Sequence, residues 1–131
     1  MKKIQIDDCI CHGQMKNHSQ IRDRILYEID RDAMSHDLKT DVDSISKLDW
    51  QNRRNPDRPW LKIFLPEFTK EVEELVNTMS YTGINLKEAW YQQYLEGDTH
   101  QWHVHGENFT GVYYLEFPEG CSKTEVCSPY D

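Results

Sequence analysis

Between residues 18 and 33 apolar positions recur at helical spacing, with Ile21, Ile25, Leu26 and Ile29 separated by Arg and Asp. This spacing predicts an amphipathic helix whose apolar stripe packs on a sheet. From His36 to Arg58 the pattern lapses. Asp41, Asp43, Ser44, Ser46, Asn52, Arg53, Arg54, Asn55 and Pro56 leave Trp50 as the main apolar anchor, and a long irregular loop is expected. A second helix is predicted to begin near Pro66, because proline suits a first helical turn and Glu67 and Glu71 suit its positive end. Val72, Leu75, Val76 and Met79 would form its buried stripe, and Gly83 would end it through a left-handed cap. Ile84 to Leu95 then mixes apolar and aromatic residues in strand fashion. Phe109 to Phe117, bounded by Gly106 and by Pro118, Glu119 and Gly120, reads as a further strand.

At 131 residues the chain is long enough for one domain with a core and too short for two. The expectation is a single domain over 1–131, helical up to about residue 83 and built of strands from about 84 onward. Fifteen Lys and Arg against 23 Asp and Glu give a net charge of -8, which disfavours partners that present phosphates, nucleic acid among them. No run of about 18 apolar residues appears, and the first residues soon turn acidic, so a cytoplasmic protein without a membrane partner is expected. Cys9, Cys11, Cys121 and Cys127 then read as free thiols. A zinc site using Cys9, Cys11, His12 and the distal pair would have spacings unlike a common ligand knuckle.

The candidate chemistry lies in Gly97 to His105. Three of six histidines, His100, His103 and His105, fall there. In an extended strand, side chains alternate faces, so His103 and His105 point one way while Trp102 and Val104 point the other. Two imidazoles on one face can share an ion, and imidazole suits iron, zinc, copper and nickel. Glu107 is a weaker third candidate, because Gly106 suggests a bend before it. Trp102 reads as a core residue.

The run Ala89-Trp90-Tyr91-Gln92-Gln93-Tyr94-Leu95-Glu96-Gly97-Asp98, followed by His103-Val104-His105 and by Phe109 to Pro118, resembles the Fe(II)/2-oxoglutarate-dependent oxygenases. Within that superfamily the likeness is nearest to oxygenases ascribed to marine bacteriophages. Ser44 to Trp50 and Arg58-Pro59-Trp60 extend the resemblance over roughly residues 41 to 127. It implies an α+β, mainly β architecture: a double-stranded β-helix, or jelly roll, with two N-terminal helices packed on one sheet. It also implies a dioxygenase of the hydroxylase type, in which 2-oxoglutarate is oxidised to succinate while a C–H bond is hydroxylated. The implied cofactors are Fe(II) and 2-oxoglutarate. His103 takes the position of the first iron ligand, and His105 stands where the family carries Asp or Glu. Tyr94 and Tyr114 fall where related enzymes touch the cosubstrate, and Gln92 shares the strand face of Tyr94.

The sequence also departs from the family. Replacing the anionic ligand by His105 changes the charge left on a metal. The family's last iron-binding histidine and its cosubstrate-pairing arginine have no counterpart, since the 26 residues after His105 contain neither His nor Arg. His12, His18 and His36 belong to the N-terminal part and are not favoured as a third ligand. The chain is therefore expected to represent an N-terminal portion of such a fold, inactive alone or completed by a second copy. Two alternatives remain open. Gly97, His103 and His105 match the first half of a cupin motif, but Phe109 and Thr110 stand where its glutamate belongs. A non-catalytic jelly-roll interaction module is the other.

Overall fold

The computed structural model describes residues 1–5 and 9–127. The architecture is α+β, with two helices and two small antiparallel sheets. Strands β1 (Lys2–Gln5) and β2 (Cys9–His12) pair with each other. Helix α1 follows at His18–Asp30, then the hairpin of β3 (His36–Lys39) and β4 (Ser44–Leu48). A 3-10 turn at Trp50–Asn52 leads to helix α2 (Pro59–Met79), and the two-residue strand β5 (Gln92–Gln93) joins the edge of β4. The three-stranded sheet thus has the order β3-β4-β5. The further strands that a jelly roll requires are not among the described residues. Most of the described residues are in neither helix nor strand, and the helices, at 13 and 21 residues, are longer than any strand among them.

The first helix forms where its periodicity places it. Ile21, Ile25 and Ile29 are one turn apart, are all buried, and meet Trp60 and Leu61 of α2 together with Tyr91. Helix α2 begins at Pro59, seven residues ahead of the expected start. The rule that proline suits the first turn applies to both candidate prolines, and the buried pair Trp60-Leu61 decides for the earlier one. Pro66 lies inside the helix, where it has no N–H to offer the Lys62 carbonyl. The stripe of Val72, Leu75, Val76 and Met79 is half-buried. The helix stops at Ser80, whose φ of 59° is left-handed. Tyr81 N–H reaches back to Val76 C=O at 3.0 Å, the long bond of a Schellman cap. Gly83 plays no part in it.

The expected irregular loop over His36 to Arg58 is instead the hairpin β3–β4 and the short turn after it. Ile45 and Leu48 are both buried, at 1% and 4% exposure. Polar Ser44 and Ser46 use their side chains on a carboxylate rather than on water. Among the described residues, four of the five strands therefore lie in the part expected to be helical, and beyond residue 84 only Gln92–Gln93 is a strand. Phe109 to Phe117 forms no strand. Its aromatic and β-branched residues suit a pleated, half-buried surface, and among the described residues no neighbouring strand offers that surface. Tyr113 and Leu115 nonetheless touch the helical core.

Under the helices sits a buried ion pair. Asp49 is fully buried and accepts hydrogen bonds from Arg58 Nη1 at 2.7 Å, Trp60 Nε1 at 2.8 Å and Tyr91 N–H at 2.9 Å. Arg58, 8% exposed, donates from Nε and Nη2 to the carbonyls of Asn55 and Arg53. Each charge is thus compensated in a place where an unpaired one would cost several kcal/mol. This knot joins the end of β4, the start of α2 and the approach to β5. It sets the frame from which the histidine segment departs.

Candidate metal centre

The chain leaves β5 through a turn closed by Asp98 N–H to Leu95 C=O at 3.0 Å. Gly97 has a φ of +85° at its third position, which explains a glycine there. The Asp98 side chain folds back against β4. It accepts Ser44 Oγ at 2.7 Å, Ser46 Oγ at 2.6 Å and Leu95 N–H at 2.7 Å, with Lys39 Nζ at 3.4 Å. These donors, that of Ser46 foremost, hold its carboxyl far below the ordinary carboxylate range. Thr99 and Ser44 then exchange two backbone hydrogen bonds, of 2.7 and 2.9 Å. The segment is pinned to the start of β4 just before the first histidine.

Beyond Thr99 the rings of His100, His103 and His105 come together. His103 and His105 meet edge to face with centroids 4.9 Å apart, and their Nε2 atoms are separated by 3.1 Å. His103 Nδ1 lies 2.7 Å from Gln101 C=O. A carbonyl only accepts, so Nδ1 carries the hydrogen and Nε2 of neutral His103 is left with its lone pair. His100 stacks on His103 at 4.2 Å. Burial, and then the neighbouring His103, lower the pKa of His100. Its Nδ1 is 3.3 Å from the Tyr94 hydroxyl, which itself donates to Gln92 Oε1 at 2.7 Å. Burial, together with the negative charges of Asp43 and Asp98, raises the Tyr94 pKa, so this phenol stays protonated. On the other side His105 tilts against Trp90 at 6.2 Å, and Trp90 meets Trp50 edge to face at 4.6 Å.

Of the residues singled out in the sequence, Gln92, Tyr94, His103 and His105 thus fall in one connected cluster. Tyr114 does not join it: its hydroxyl donates to Thr124 Oγ1 and its ring packs on Phe117. Glu107 is exposed, and Trp102, expected in the core, is 62% exposed. His12 lies on β2 and His36 on β3, while His18 bonds the Tyr113 hydroxyl. Cys11 Sγ donates to Met79 Sδ at 3.4 Å, and Cys121 and Cys127 are exposed free thiols. The Cys9 side chain lies outside the described residues.

Whether the cluster suits a divalent metal can be judged from its nitrogen atoms. Two imidazoles bound at adjacent positions, each about 2.1 Å from a metal, place their nitrogens about 3 Å apart. The Nε2 pair at 3.1 Å matches that span, although the contact is itself a hydrogen bond that His105 Nε2–H donates to the lone pair of His103. The Gln101 carbonyl on the far nitrogen of His103 is the outer support that metal-bound imidazoles commonly have. The fit ends at two donors, since among the described residues no group of three His, Cys, Asp or Glu could enclose an ion. The sequence pattern assigns no site role to Asp98, Asp49 or Asp43. A carboxylate next to a turn glycine, or set between Leu48 and Trp50, is the signal that could have found the first two.

No protein-family model, curated protein or solved structure matches this chain. Among the described residues no helix is long and apolar enough to cross a membrane.

Proposed function

We propose that this chain carries the first half of a divalent-metal site of the Fe(II)/2-oxoglutarate-dependent dioxygenase type, with His103 and His105 as adjacent metal ligands. The observation that carries this reading is the 3.1 Å separation of their Nε2 atoms, with Nδ1 of His103 committed to a carbonyl. Bound there, Fe(II) would supply coordination of 2-oxoglutarate and activation of oxygen, with succinate, carbon dioxide and a hydroxylated product as the outcome. The chain's own residues support this as a wall and a brace. Tyr94, kept neutral, and Gln92 present polar groups beside His100, while Trp90, backed by Trp50, lies against one side of His105. A jelly roll continuing from β5 is the architecture that this reading expects.

The second reading is a non-catalytic jelly-roll interaction module that keeps only an incomplete metal site. The lack of a third donor among the described residues favours it.

The test is an anaerobic titration with Fe(II), followed by 2-oxoglutarate. Calorimetric metal uptake that His103→Ala abolishes, and then a weak visible charge-transfer band, support the dioxygenase reading. Metal uptake without the band rejects cosubstrate chelation, and no metal uptake by the unaltered chain transfers the assignment to the module. Full metal affinity in His103→Ala overturns the ligand assignment.

A further inference from the structure

Away from the histidine segment, the end of α1 and the start of α2 enclose a cavity of about 240 Å³ whose lining includes Glu28, Arg31, Asp32, Arg58, Pro59 and Trp60. At about 30 Å³ per water, 240 Å³ holds about eight waters, which suits a small metabolite rather than a drug-sized ligand. Two acids and two arginines share this space, and none pairs across it. Arg31 donates to the Tyr27 hydroxyl at 3.1 Å, and Arg58 is paired with Asp49. Asp32 accepts the Tyr91 hydroxyl at 2.6 Å and Met34 N–H at 2.9 Å. Glu28 is half-buried and has no hydrogen-bond or ion-pair partner among the described residues.

The place of Glu28 is unfavourable on two counts. It stands in the last turn of α1, where the negative end of the helix repels a carboxylate, and no basic residue occupies that turn. Partial burial without a donor adds a desolvation cost. Lys47 Nζ, at the same end, turns to the Ile29 and Asp30 carbonyls instead. A bound ammonium group would relieve both costs. The start of α2 offers the opposite chemistry. Buried Arg58 uses three of its five N–H groups, on Asp49 and on the carbonyls of Asn55 and Arg53, which leaves one on Nη1 and one on Nη2. The Trp60 backbone N–H has no acceptor among the described residues, whereas those of Leu61 and Lys62 turn to the Arg58 carbonyl. Guanidinium and first-turn N–H groups together suit a carboxylate. Because Asp49 already compensates Arg58, a lone anion would find donors here but little net positive charge, and it would leave Glu28 unpaired.

We propose that this cavity binds a small zwitterion of the α-amino-acid class, with its ammonium group toward Glu28 and Asp32 and its carboxylate toward Arg58 and the Trp60 N–H. The side chain is short and apolar, resting on Pro59 and Trp60. The experiment titrates the full chain with L-alanine up to about 20 mM at about pH 7, where the amino acid is a zwitterion, and follows the Trp60 indole N–H resonance. Propionate and propylamine, each carrying one of the two charges, are titrated in parallel. L-Alanine is expected to shift the resonance saturably, and each half-ligand to bind at least about 10-fold more weakly. Glu28→Gln keeps the shape of the side chain and should weaken L-alanine about 10-fold or more without moving the thermal midpoint. No saturable shift with L-alanine overturns the proposal. Propionate or propylamine binding as well as L-alanine overturns it too, since the cavity would then read a single charge. Unchanged L-alanine affinity in Glu28→Gln would remove the ammonium end. None of these outcomes bears on the metal reading of the histidine segment.

Discussion

Two stretches of this chain are similarly rich in large apolar side chains and end in opposite states. In the helices, β4 and the approach to β5, Ile21, Ile25, Ile29, Ile45, Leu48, Trp60, Leu61 and Tyr91 are buried. From Tyr94 to Val126, Leu95, Trp102, Val104, Val112 and Phe117 are all exposed, Val104 to 90%. The difference lies in partners rather than in hydrophobicity. A helix satisfies its own backbone and needs only one face covered, so α1 and α2 bury each other. An extended segment needs a neighbouring strand for its hydrogen bonds before its side chains acquire a surface to pack on. The later segment is instead held by polar pins at Asp98, Thr99 and Gln101.

The sharpest way to break this contrast is at its buried charge. Asp49→Ala removes three hydrogen bonds and leaves Arg58 uncompensated, and urea unfolding should show a loss of about 3–5 kcal/mol. A loss below about 1 kcal/mol would mean that the packed half does not depend on this knot. Next is Ile25→Ala at the centre of α1, expected to cost about 3 kcal/mol by the same measurement.

A smaller effect should follow pH. The folded-state pKa of Asp98 is depressed, so its contribution is fully present above the ordinary carboxylate value of about 3.9 and is lost as pH falls below it. Thermal melts taken from about pH 6 to about pH 3 should show a smaller decline in Asp98→Asn than in the unaltered chain. Equal declines would remove Asp98 as the acid-sensitive pin. The smallest effect is expected at Val104→Ser, within about 0.5 kcal/mol, because the side chain is already in solvent. A cost near that of Ile25→Ala would erase the contrast between the two stretches.

What could be read from sequence follows the same division. The stripe of Ile21, Ile25 and Ile29 announces α1 because helical periodicity is local and self-sufficient. The start of α2 was less legible, since Pro59 and Pro66 carry the same local signal and only tertiary burial of Trp60 and Leu61 separates them. Its end was hidden because Ser80, not a glycine, takes the left-handed conformation. Strand β4 was illegible because Ser44 and Ser46 look like loop residues until Asp98, over 50 positions away, accepts their hydroxyls. In the candidate site, the spacing of His103 and His105 was enough to pair them. The hydrogen bond between Asp43 and Gln101 spans 58 positions, and no local pattern encodes it.

The Asp49 knot also implies an order of assembly. Its partners Arg58 and Tyr91 lie 9 and 42 positions away. Closing the longer loop costs about 1.4 kcal/mol more chain entropy than closing the shorter. The turn between β4 and α2 can therefore condense early, with its carboxylate already paired to the guanidinium, and β5 docks afterwards onto a finished edge. The histidine segment, which begins beyond that edge and meets Asp43 across 58 positions, docks later still.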